Sequence, residues 1–197
     1  MPPTPNVWAI ALEYLRIFRH GFKPSTNERT ALVLTFLQKF MAPDVSDGYF
    51  FGPQALLRNW ELFSRCFGDV QVDLNSMASI TEDILSATTT TSITISSNTL
   101  KLVFPHLNSD GYGGADGGAW SALAKRLEGQ RLVMRSTVKF HWDNMNMRVI
   151  QMQTRSDMLT AVYHVLGSWE AVNHVFDGAF LTPECTFTST SEHRYSW

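Results

Sequence analysis

Proton transfer at neutral pH needs an imidazole or carboxylate held beside a group that tunes it, and the nearest such pair in this sequence is His141 and Asp143. They lie two residues apart in a segment with strand alternation, so they share a face, the one opposite Phe140 and Trp142. If the apolar face closes over a core, the pair points away from it. Asp44 and Asp47 bracket a turn ending at Gly48, where their carboxylates suit Asx-type bonds to the backbone. His20 falls in the expected last turn of the first helix, where a cation is favoured. His106 follows Pro105 in a loop, and His164 and His174 take polar helix positions. Cys66 and Cys185 allow at most one bridge and lack metal-site spacing. The glycine-rich run 108–118 has neither dinucleotide-fold spacing nor a following Gly-Lys-Ser/Thr, so it is not a phosphate cradle. No catalytic residue, metal or cofactor is expected.

The elements that would position a site are legible around a long hairpin, 129–142 and 148–153, turning at 143–147. Leu132, Met134, Val138, Phe140 and Trp142 recur with period two, and Arg131, Arg135, Lys139 and His141 fill the other face. Upstream, Asn6 caps a helix carrying Val7, Ile10, Ala11, Tyr14, Leu15, Ile17 and Phe18, which Gly21 should stop. The capping-box pattern at 25–28 opens a second helix with Leu32, Leu34, Phe36, Leu37 and Phe40, ended by Pro43 before a turn into a short strand at 49–51. Pro53 suits the first position of a third helix bearing Leu56, Trp60, Phe63 and Phe67, with Gly68 as its stop. Strands follow through Val70, Val72 and Leu74 and over 84–96, where Thr88 to Thr91 read as half-buried strand hydroxyls. Helices at 157–166 and 168–176 are divided by Gly167, and Trp169 and Phe176 are among the apolar positions that must dock. Helices first and long antiparallel strands after them indicate α+β.

Composition sets the bounds. The chain has 197 residues, 44% hydrophobic, enough for one sizeable core. We expect one domain over 1–182, with 108–118 as a mobile loop and 183–197 as a tail. A formal charge of −2 exerts no global pull on nucleic acid or anionic membrane. The start of the chain lacks a signal-peptide pattern and no apolar run approaches a bilayer span, which suggests an intracellular protein of nucleus or cytoplasm.

The order helix, helix, short strand, helix, long antiparallel sheet resembles the NTF2-like, or SnoaL-like, α+β cone over residues 7–157. Local carriers are Met41-Ala42-Pro43-Asp44-Val45, Gly52-Pro53-Gln54-Ala55-Leu56, Gly129-Gln130-Arg131-Leu132, and Trp142-Asp143 to Arg148-Val149 across the turn. A closer likeness, over about 20–182, is to the C-terminal accessory domain of oomycete bZIP transcription factors. It rests on Phe18-Arg19-His20-Gly21-Phe22, Ala55-Leu56-Leu57-Arg58-Asn59-Trp60, Phe67-Gly68-Asp69-Val70, the run 99–107 and the run 129–135. This sequence carries no basic helix and no leucine heptads, so no direct nucleic-acid binding is expected of it.

The resemblance implies three N-terminal helices packed on a curved antiparallel sheet, extra C-terminal helices, and a pocket between helices and sheet. It places Tyr14 at the phenol position of the ketosteroid-isomerase pattern, but the late-strand acid of that pattern falls near Val138, and without it the oxyanion site is incomplete. The pocket candidates are therefore Tyr14, Phe18, Trp60, Met134, Phe140 and Trp142, an apolar lining with one phenol. The reading is a non-enzymatic regulatory, ligand-sensing or dimerisation module for transcription regulation. Its expected partners are a small hydrophobic ligand and a second copy docked through the polar face of the sheet, with no membrane. The alternative is a SnoaL-like lyase or isomerase acting on a hydrophobic substrate.

Overall fold

The computed structural model describes residues 4–188 of the 197. In chain order they form α1 (Val7–Ile17), α2 (Asn27–Phe40), β1 (Met41–Ser46), α3 (Pro53–Cys66), β2 (Gly68–Thr81), β3 (Ile84–Thr94), α4 (Ser97–Val103), a 3-10 turn (Pro105–Leu107), α5 (Ala122–Leu127), β4 (Arg131–Asp143), β5 (Arg148–Ser156), α6 (Met158–Leu166) and α7 (Trp169–Phe176). The sheet order is β1-β5-β4-β3-β2, and the class is α+β, as the order of elements implied. Two compact units emerge, one of residues 1–64, 71–91 and 135–154, the other of 65–70, 92–134 and 155–197.

In the first unit, the Asn6 carboxamide accepts the Ala9 N–H at 2.9 Å and sets α1 so that Val7, Ile10, Ala11, Tyr14 and Leu15 are buried. The helix closes on Phe18 rather than at Gly21, so His20 lies beyond its last turn and is exposed. Thr26 caps α2 by accepting the Arg29 N–H at 3.1 Å. The buried stripe of α2 is Val33 and Leu37, and Leu32 is 66% exposed. The sequence offers apolar residues nearly all round this helix, so periodicity alone points to the wrong stripe.

Pro43 sits inside a strand. β1 follows α2 without a turn and runs parallel to β5, pairing Met41 with Val149 and Ser46 with Gln151 across an irregular interval. A proline has no N–H to give a ladder, so its place is an edge strand where the register breaks. The turn expected at 44–48 falls after β1, and Phe51 returns only as a bridge to Ser46. β4 alternates as expected, with Leu132, Met134, Val138, Phe140 and Trp142 all buried.

The second unit contains a helix that the strand-like texture of its sequence concealed. Ser96 accepts the Thr99 N–H, Thr99 accepts the Ser96 N–H, and this reciprocal box starts α4. Gly167, at φ 69°, supplies the left-handed residue that ends α6. On α7 Trp169 stays 57% exposed and spends its ring on Tyr163, stacked at 4.2 Å.

The glycine-rich segment 108–118 closes on Asp110, whose carboxylate accepts N–H groups from Tyr112 at 2.7 Å, Gly114 at 3.0 Å and Asp116 at 2.9 Å. A Cβ on Gly118 would lie 2.2 Å from Asn108 Oδ1 and 2.6 Å from the Asp110 nitrogen, which is why glycine is needed there. Desolvation opposes ionisation of Asp110, but N–H donors from Gly114, Tyr112, Asp116 and Gly118 outweigh it and hold the carboxyl below its usual range. With the folded value depressed, this stabilisation is complete above the ordinary carboxylate pKa and is lost as pH falls through the lowered one. Amide resonances of Tyr112, Gly114 and Asp116 should therefore move together as the carboxyl protonates, with a midpoint below that of an ordinary aspartate. Titration of these amides at an ordinary aspartate value would show that the loop does not depend on the charge.

Candidate ligand-binding site

Four of the six pocket candidates come together in the first unit. Phe18 on the C-terminal side of α1 stacks on Trp60 of α3 at 4.9 Å and 6°, and meets Tyr14 at 4.8 Å. Tyr14 in turn meets Phe140 of β4 edge-on at 5.8 Å. Phe18 and Phe140 are fully buried and Tyr14 nearly so. Trp142, two residues along the same strand face from Phe140, is also buried. Met134 is buried on that strand face too, in the second unit.

The polar atoms of this cluster answer each other. Trp60 is half-buried, and its indole N–H donates to the Tyr14 hydroxyl at 2.7 Å, the partner a buried indole requires. Burial pushes the Tyr14 phenol well above its ordinary pKa, against the effect of the Trp60 bond, and the negative charge of Asp47 adds to the rise. Tyr14 is therefore a neutral phenol at every physiological pH, with its oxygen accepting from Trp60 and its own proton able to donate. Replacing it with phenylalanine should destabilise the protein by about 0.5–1.5 kcal/mol, the net worth of one hydrogen bond, because the half-buried indole can turn to solvent. Chemical denaturation of Tyr14→Phe measures this, and no change would mean that the bond contributes nothing to the fold.

A second polar feature on the sheet is absent from the sequence reading. Ser136 interrupts the apolar alternation of β4 and donates to Thr91 of β3 at 3.0 Å, which puts Thr91 and its alternate neighbours Thr89, Ala87 and Leu85 on the strand face of Phe140. Thr89 is fully buried, and among the described residues its hydroxyl has no partner. The signal was the gap at position 136 in a run that is otherwise Leu, Met, Val, Phe and Trp. Rather than half-buried, Thr89 and Thr91 are buried outright.

The candidate acids and bases are spread out or occupied. Asp143 accepts from the Met145 and Asn146 N–H groups and from the Asn146 amide, foremost the last, so its carboxyl is held low and serves the hairpin turn. His141 lies on the opposite face from Phe140, half-buried, with Nε2 enclosed and without a partner among the described residues. Asp47 accepts from the Tyr49 and Phe50 N–H groups, the Asx arrangement that its turn suggested. Asp44 is exposed on β1 and His164 on α6. His106 stands in the 3-10 turn against the His174 carbonyl at 3.2 Å, and burial lowers its pKa despite that bond. Among the described residues no three His, Cys, Asp or Glu side chains gather as a metal site would require, and no helix is long and apolar enough to cross a membrane.

The second unit has an open groove of about 570 Å³ lined by Lys125, Arg126, Arg131 and His164. Its arginines are already employed: Arg126 donates to the Leu166 carbonyl at 3.0 Å at the end of α6, and Arg131 donates to the Asp69 carbonyl and to Thr94. Arg126 thus completes a helix C-terminus, a common structural use of a cation, and Arg131 ties strands β2 and β3.

Comparison with known proteins agrees with this architecture. The model of the bZIP transcription factor 1 C-terminal domain matches residues 8–66, the segment of α1, α2, β1 and α3. No curated protein matches the sequence. A SnoaL-like polyketide cyclase from Agrobacterium tumefaciens is structurally similar, with a TM-score of 0.51 and 15% identity over 80% of this chain and 95% of that one. TsrD from Streptomyces laurentii superposes with a TM-score of 0.48 and 14% identity over 81% of this chain and 96% of that one. The fold is SnoaL-like, or NTF2-like.

Proposed function

We propose that this chain is a non-enzymatic regulatory domain of the kind that accompanies bZIP transcription factors, acting in nucleus or cytoplasm, and that it senses a small, flat hydrophobic ligand. The observation that carries the reading is the Tyr14, Phe18, Trp60 and Phe140 cluster, aromatic throughout, with a neutral phenol as its polar handle. A flat apolar molecule admitted between these rings would meet aromatic faces, and the phenol would fix its orientation through one donated proton. Support also comes from the match of residues 8–66 to the bZIP-associated domain. The carboxylates nearest in sequence to a catalytic arrangement are tied to turns, Asp143 by Asn146 and Asp47 by Phe50.

One observation favours the alternative, a lyase or isomerase of the kind the fold also hosts. The negative charge of Asp47 adds, least of three effects, to the rise of the Tyr14 pKa, so a carboxylate lies within electrostatic reach of the phenol. A thermal-shift screen of flat hydrophobic compounds, followed by product analysis of each hit, separates the two readings. Binding without conversion supports the regulatory domain. Conversion that is lost in both Tyr14→Phe and Asp47→Asn sinks it in favour of the enzyme.

A further inference from the structure

β2 ends the sheet, and the outer edge of its second half is open among the described residues. Its first half is covered: the Val72 N–H donates to the Arg19 carbonyl at 2.7 Å, away from β3. Backbone groups alternate along a strand, so those of Leu74, Ser76, Ala78 and Ile80 face the same outer edge. The eight residues 74–81, Leu, Asn, Ser, Met, Ala, Ser, Ile and Thr, include no charge, proline or glycine, and all but Met77 are exposed. Proteins protect such an edge with lysine, proline, a bulge or a covering segment, and residues 74–81 include neither lysine nor proline.

We infer that this edge pairs with the same edge of a second copy, antiparallel about a two-fold axis at Met77, joining two five-stranded sheets into one. The register follows from charge and from the edge geometry. With Met77 opposite Met77, Leu74 faces Ile80 and Ser76 faces Ala78, each pair exchanging hydrogen bonds from outward-facing groups, and no like charges meet. Sliding two residues one way sets Leu74 against Glu82 and Asp73 against Asp83, a like-charge pair across the strands, which is destabilising. Sliding the other way sets Ile80 against Val72, whose N–H is already taken by Arg19. The lack of any charge over the edge also leaves nothing to select a charged peptide in place of a second copy. This pairing is independent of the ligand reading, and it differs from a dimer through the polar face of β4, which would leave the edge open.

Sedimentation equilibrium of the full chain at tens of micromolar should give a dimer. Met77→Cys should crosslink into a covalent dimer under oxidised glutathione, because a non-hydrogen-bonded pair brings the two Cα atoms to about 4.5 Å, within disulfide reach. Asn75→Cys, opposite Ser79 and not itself, should not crosslink. Ala78→Pro removes an N–H that faces the partner and not β3, and should weaken the dimer about 100-fold while the circular dichroism spectrum is kept. If Ala78→Pro fails to fold, Ala78→Lys places a charge at the same edge and should give a monomer. A wild-type monomer, or a dimer that Ala78→Lys leaves intact and Met77→Cys does not trap, overturns the inference.

Discussion

Phe18→Ala should be among the most damaging single substitutions in the chain, lowering the unfolding free energy by about 3–5 kcal/mol. Phe18 is 1% exposed and touches three other rings: Tyr14 at 4.8 Å, Trp60 at 4.9 Å and Phe22 at 6.2 Å. Truncation removes the side chain on which Trp60 stacks and opens a void against Tyr14, so the transfer and cavity costs add. For a chain of this size the loss corresponds to roughly 6–20 °C in melting temperature. Trp60→Ala should cost less, since the indole is only half-buried. Leu32→Ala, on the exposed face of α2, should change stability by less than about 0.5 kcal/mol. Denaturant melts of the three variants check the order, and a Phe18→Ala value close to that of Leu32→Ala would dismantle the aromatic cluster as the core of its unit.

Thr89→Val should do the opposite and stabilise the protein, by about 1–3 kcal/mol, the cost of burying an unsatisfied hydroxyl. Valine keeps the β-branched shape that suits a strand, and Thr89 is fully buried with no partner for its oxygen among the described residues. The same substitution tests function, because it removes the polar group that this strand face would offer a ligand. A more stable protein with a smaller ligand-induced thermal shift is the expected outcome, the usual trade between stability and a site kept ready for use. Unchanged or reduced stability would show that solvent satisfies the hydroxyl. Ser136→Ala is the contrast: it breaks the 3.0 Å bond to Thr91 and should destabilise.

The sequence by itself determined the faces of the strands and the starts of several helices, because those are set by neighbours along the chain. Period-two alternation put Phe140 and Trp142 on the buried side of β4 and His141 on the other. Short polar side chains marked the helix starts, Asn6 on α1 above all. The glycine at 167 likewise announced the end of α6. Tertiary packing decided the rest. Which stripe of α2 is buried depends on what lies against it, and a helix with apolar residues at Leu32, Val33, Leu34, Phe36 and Leu37 has several equivalent stripes until the sheet chooses Val33 and Leu37. Pro43 reads as a helix stop, but only pairing with β5 shows that the chain is already a strand there. The partner of Trp60 lies 46 residues away on α1, and the partner of Ser136 lies 45 residues away on β3. A hydrogen bond is satisfied by whatever group the fold brings within about 3 Å, and no local pattern encodes that distance. The sequence could therefore name Tyr14 and Trp60 as candidates, and only the folded chain could join them.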